Sequence, residues 1–176
     1  RSLDIPSIEN VADFPLVKGM ADGSFTEGED PMSALVKLNS VIRPEVGNYW
    51  FAAGLKFSSF QLLETSALMF VSFGKDFEFN LLGVSQATLP PKVKPEIALA
   101  YMELALKVTI APNAGYASAE AQLTPNSFVL AKGVKLTGGF AFYLWFKNIP
   151  LKDGKRIPAG DFVLTLGGYH PAFNKP

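Results

Sequence analysis

Tyr101-Met102-Glu103-Leu104-Ala105-Leu106-Lys107-Val108-Thr109-Ile110 is followed by the turn residues Pro112-Asn113-Ala114-Gly115 and by Ala117-Ser118-Ala119-Glu120-Ala121-Gln122-Leu123. Met102, Leu104, Leu106, Val108 and Ile110 alternate with Tyr101, Glu103, Ala105, Lys107 and Thr109. That is the period of two that puts successive side chains on opposite sides of a strand. Pro, Asn and Gly between two such runs reverse the chain, so the segment reads as an antiparallel hairpin. The return strand carries Ala117, Ala119, Ala121 and Leu123 on one side. Bulky residues on one strand beside alanines on the next predict the close approach of another layer over the alanine side.

The same period extends in both directions. Tyr49, Phe51, Ala53, Leu55 and Phe57 share one face of a strand, and Trp50, Ala52, Gly54 and Lys56 the other. A strand over 66–73, a turn at Gly74-Lys75 and the alternation of Phe77, Phe79 and Leu81 follow. Leu89-Pro90-Pro91 and Pro95 read as a linker between two strand groups, because proline has no N–H for a central ladder. Two more strands are expected, over 136–146 and 161–169, with turn residues 152–155 between them. Gly138-Gly139 and Gly167-Gly168 lie inside these patterns and mark bulges or places where another backbone or a flat ligand comes close.

Upstream, Pro6, Pro15 and the acidic stretch Asp22-Gly23-Ser24-Phe25-Thr26-Glu27-Gly28-Glu29-Asp30 make residues 1–30 an irregular arm. Asp30-Pro31 resembles a helix start, Met32, Leu35, Val36 and Ile42 follow at helical spacing, and Pro44 ends the run. The expected architecture is one domain over 1–176: arm 1–30, short helix 31–43 and antiparallel strands over 49–170. No segment alternates strand and helix as a parallel sheet requires, so the fold class is all-β, an antiparallel β-sandwich or strongly curved β-sheet.

Composition bounds the function. Sixteen basic and sixteen acidic residues cancel, and the basic ones are scattered, which argues against nucleic acid and against a polybasic membrane anchor. Charged residues are only 18% of the chain while phenylalanine occurs 15 times. Either the core is large, or apolar surface is kept for a ligand, a partner or the rest of a longer polypeptide. No apolar run reaches the ~18 residues of a helical membrane span. Opening at Arg1, with no signal-peptide pattern, the chain reads as a processed product or a fragment, and its compartment is left open.

Catalysis is poorly provided for. The chain has no cysteine and one histidine, His170. Zinc ligand sets and thiolate chemistry need more. A Ser-His-Asp arrangement would have to use His170 with Asp161, without a Gly-x-Ser-x-Gly turn, and His170 reads better as a hydrogen-bonded strand-end residue. The spacing of Asp22, Glu27, Glu29 and Asp30 does not match a calcium-binding EF-hand loop, so this stretch reads as a solvated acidic loop. No metal site is assigned.

Phe140-Ala141-Phe142-Tyr143-Leu144-Trp145-Phe146 is apolar on both faces, so both faces must be covered, either as a central sandwich strand with one face on the core and the other under a loop or subunit, or by a ligand. Tyr143, Trp145, Trp50 and Tyr169, with His170, are the candidate lining of a cleft for an apolar or aromatic small molecule, since tyrosine and tryptophan combine a stacking surface with one polar handle. The expected function is non-enzymatic binding of a lipid or pigment in a β-cleft. The alternative is a structural or assembly module that buries its apolar faces against itself, as a homodimer, or against a larger protein.

Leu136-Thr137-Gly138-Gly139-Phe140-Ala141, Gly160-Asp161-Phe162-Val163 and Thr165-Leu166-Gly167-Gly168-Tyr169-His170-Pro171-Ala172-Phe173 resemble a domain-of-unknown-function family found in very large fungal and bacterial proteins. The likeness extends back to Asn48-Tyr49-Trp50-Phe51-Ala52-Ala53-Gly54-Leu55. It implies no activity. It does imply a relative, or a piece, of a larger architecture in which apolar strand edges meet more strands.

Overall fold

The computed structural model describes residues 5–23, 46–59, 62–151 and 153–167. Among the described residues eleven strands follow one another: β1 Tyr49–Ser59, β2 Leu63–Phe73, β3 Glu78–Leu89, β4 Ala100–Ala111, β5 Tyr116–Leu123, β6 Phe128–Val129, β7 Ala131–Lys135, β8 Gly139–Trp145, β9 Ile149–Pro150, β10 Arg156–Ile157 and β11 Phe162–Leu166. Nine form one sheet whose main path runs β1-β2-β3-β4-β5-β8-β11, with β6 on β4 and β7 on β6. β9 and β10 make a separate ribbon. All pairs are antiparallel. The all-β expectation stands, as one large sheet that is not closed into a barrel.

The hairpin read from Tyr101 to Leu123 is β4–β5, with Val108 opposite Ala119 and Ile110 opposite Ala117. One reading is corrected. The prolines after Leu89 do not divide two strand groups: β3 continues to Leu89, and Leu89 pairs with Ala100 at the start of β4. Proline is tolerated there because the segment is the loop of a hairpin and owes no N–H to a central ladder.

The arm expected to be irregular also carries structure. Ile8–Asn10 is a 3-10 turn and Pro15–Ala21 a helix, α1. Pro15 starts that helix rather than breaking it, since proline at the first turn gives up an N–H that has no intrahelical partner anyway. Leu16 and Val17 then turn toward the sheet with Ile8 and Val11, and all four are buried against Leu68, Leu82, Val84 and Ala105. Phe14 and Met20 flank this core. The helix expected over 31–43 lies outside the described residues, as do residues 24–30 of the acidic stretch.

Two glycines sit where neighbours come close. A Cβ on Gly54 of β1 would lie 2.6 Å from Met20 Sδ, so the bare backbone there leaves room for the α1 side chain on the sheet. A Cβ on Gly139 would collide with the carbonyl oxygen of Ala121 on the neighbouring β5. Gly139, though not Gly138, thus marks a close backbone approach, one of the uses its sequence suggested.

Leu82 is fully buried under this core, and Leu82→Ala is expected to lower stability by about 2–5 kcal/mol in urea unfolding. Gly139→Val must push β8 off β5 and is expected to cost about 1–3 kcal/mol in the same measurement.

Candidate functional site

Each ladder of the main path keeps a constant register from end to end. Side-chain alternation therefore carries across all seven strands without a slip. One face, the helix face, takes Ala52, Leu68, Leu82, Val84 and Ala105 and lies under residues 5–21. The other, the open face, carries Phe51, Leu55 and Phe57 of β1, Met69 and Val71 of β2, and Leu81 of β3. It continues through Leu104, Leu106, Val108 and Ile110 of β4, the alanines of β5, Phe140, Phe142 and Leu144 of β8, and Phe162, Leu164 and Leu166 of β11.

The charges are sorted completely. Lys56, Glu64, Glu78, Glu103, Lys107 and Glu120 are the charged residues of the seven strands, and all six fall on the helix face. The open face has none. Thr65 and Ser85, opposite one another on β2 and β3, hydrogen-bond to each other there at 2.8 Å and are buried. They ask nothing of water. Among the described residues, α1 and the 3-10 turn give their core contacts to the helix face. Large side chains on the open face stay exposed: Phe51 by 54%, Phe162 by 65% and Leu166 by 68%.

The helix face holds the polar chemistry. Glu103 on β4 is buried and accepts hydrogen bonds from Tyr101 Oη at 2.7 Å, Thr124 Oγ1 at 2.7 Å, Asn126 Nδ2 at 2.8 Å and Gln86 Nε2 at 2.9 Å. Burial by itself raises the Glu103 carboxyl, but these four donors outweigh it and hold the group below its ordinary value. The Tyr101 hydroxyl is driven up by burial and by the adjoining carboxylate. Ser127 adds a bond from Glu103 N–H at 3.0 Å, so the segment after β5 is tied to β4. With its acceptors committed to four donors, Glu103 is a structural tie.

A polar pocket of about 490 Å3 opens on the same face, lined by Lys75, Glu78, Asn80, Lys107, Thr109 and Tyr116 among others. Asn80, fully buried, donates to Glu78 at 2.9 Å and accepts from Thr109 at 2.8 Å, so its amide serves the sheet.

The aromatic residues singled out by sequence occupy separate places. Trp50 lies on edge strand β1 and stacks on Phe70 at 5.9 Å. Tyr143 and Trp145 lie on β8 and stack on each other at 6.1 Å. Both groups are on the helix face, but β2, β3, β4 and β5 stand between β1 and β8. The fold does not bring Trp50 beside Tyr143 and Trp145, and none of the three lines the polar pocket. Burial and the Glu120 carboxylate, which accepts its hydrogen bond, raise the Tyr143 hydroxyl. Tyr169 and His170 lie outside the described residues. The open face was missed as a unit because its signal is spread across seven strands and emerges only when their registers are aligned.

The chain belongs to a family of unknown function. The model of that family, DUF6603, matches residues 1–176. No curated protein and no solved structure matches the chain. The family therefore supplies no ligand and no reaction, and its member is read from its surfaces. Among the described residues no three histidine or acidic side chains converge as a metal site, and no helix is long and apolar enough to cross a membrane.

The Glu103 tie has a pH signature. A carboxyl held low in the folded state stabilises fully above its unfolded value, and that contribution is lost as pH falls through the folded one. Glu103→Gln is expected to cost about 1–3 kcal/mol at neutral pH in urea unfolding, and the gap to wild type should shrink on acidification.

Proposed function

We propose that the protein is a non-enzymatic structural or assembly module that works by burying its open face against another protein surface. The observation that carries this reading is the complete absence of charged side chains from that face across seven strands. Strands of 5 to 12 residues, spaced at ~4.8 Å with a rise of ~3.3 Å, give the face a plan area of roughly 1,000 Å2. Stable interfaces bury about 800 Å2 per partner and are depleted in charge at their centre. A small molecule would cover only part of such a face, and sites for small molecules are concave and enclose most of their ligand. The resemblance to domains of very large proteins supports a neighbour of the same construction as the covering surface.

A second reading rests on one local feature. Ala117 and Ala119 on β5 lie between Val108 and Ile110 of β4 and Phe142 and Leu144 of β8. The flanking strands are about 10 Å apart, wide enough for an extended acyl chain to lie over the alanines. On this reading an apolar ligand such as a lipid lies on the open face instead of beside Trp50, Tyr143 and Trp145.

Phe51 and Leu164 stand on the open face and are more than half exposed, by 54% and 56%. Phe51→Asp and Leu164→Asp are expected to change the stability of the isolated chain by no more than about 1 kcal/mol while reducing its association in light scattering. Association unchanged by both would refute the assembly reading. The lipid reading is checked by native mass spectrometry of protein from its natural source, where it requires a bound apolar mass.

A further inference from the structure

We infer that the covering surface is a second copy of this chain, packed face to face with the ridge of β4 in the alanine groove of β5. This rests on the assembly reading and names its partner.

The relief of the open face carries the inference. β4 presents Leu104, Leu106, Val108 and Ile110, while β5, its direct neighbour, presents Ala117, Ala119 and Ala121. A raised strand and a hollow strand thus lie side by side, with Ile110 opposite Ala117 and Val108 opposite Ala119. A two-fold axis parallel to the strands and midway between β4 and β5 sets each ridge over the partner's groove. One operation satisfies both contacts, which is the self-complementarity that an isologous interface needs. Ile110 of one copy then meets Ala117 of the other.

The hollow is open where it is needed. Ala121 is buried, but Ala117 and Ala119 are only half-buried and Ile110 is exposed. Two sheets packed in this way stand ~10 Å apart with strand directions within ~30°, the usual spacing and angle of a β-sandwich. The absence of charge is essential, because facing surfaces related by a two-fold axis would set any charge near its axis against a like one. Under this axis β2, β3, β4, β5, β8 and β11 overlap their counterparts while β1 lies beyond the partner's edge, a shared plan area of roughly 600 Å2 per copy, at the lower end of what a stable interface buries per partner. Edge-to-edge pairing through β1 or β11 would leave the whole face exposed and does not answer the same need.

The test is light scattering over a concentration series, with circular dichroism as the folding control. Wild type is expected at twice the 19.1 kDa chain mass. Ala117→Glu and Ile110→Lys should each keep the β spectrum and weaken the dimer at least ~100-fold, since each buries an unpaired charge. Mixing the two variants should restore a dimer, because the glutamate of one copy then faces the lysine of the other, and added salt should weaken it. A wild-type monomer at all concentrations overturns the inference. So does a dimer that survives both single variants, which must use another surface. Nile red separates the two levels. A monomer that takes up the dye, and loses that uptake with Phe51→Asp, retains an apolar docking face but not this partner; a monomer that takes up none ends both.

Discussion

From Tyr49 opposite Phe73 to Leu166 opposite Phe140, the main ladders run without a slipped residue. Everything else in the molecule depends on that register. Side chains alternate with a period of two, so one slip in any strand would send its charged residues to the opposite side of the sheet. Held in register, six charges spread over five strands are collected on one face, and the other is left uncharged from edge to edge.

The two faces are stabilised differently. On the helix face, residues 5–21 supply Ile8, Val11, Leu16 and Val17 to close a core over Leu68, Leu82 and Val84. Beside it the hydrogen-bonded groups around Glu103 and Asn80 satisfy buried polar atoms, which would otherwise cost more than the sheet gains by covering them. The open face has the reverse character: its inner hydroxyls, Thr65 and Ser85, already serve each other, and its large exposed side chains offer water no charge. In the assembly proposed above, a sheet with one face tied by polar networks and one face without charge serves as half of a sandwich.

Much of the strand content was legible because alternation is a local signal. β1, β4 and β5 follow the period of two read from Tyr49, Tyr101 and Ala117, and the turn over 112–115 is where Pro, Asn and Gly place it. The close backbone approach at Gly139 was legible too, since a glycine inside a strand pattern has few other uses. Pro15 was not, because the same residue can break a helix or begin one, and the outcome depends on whether the next turn finds an apolar surface to cover. The Leu89 prolines misled for a similar reason: a hairpin loop and a linker share their composition, and pairing of Leu89 with Ala100 is a contact between strands. The aromatic residues were recognised by type, but distance in the sheet is counted in strands, and four strands separate Trp50 from Tyr143 and Trp145.

What the sequence alone determined is the class of the object: antiparallel β, short of charge, without cysteine, and with strands whose alternation fixes which residues share a side. Tertiary structure decided the order of those strands, which of them are edges, and on which face each set lies relative to its neighbours. The physical reason is that alternation is set by the backbone of one strand, whereas alignment between strands is set by hydrogen bonds and turn geometry linking distant residues. The low charge of the chain was visible from the start. Its concentration on one face, and the ridge and groove left on the other, exist only once seven strands are laid side by side.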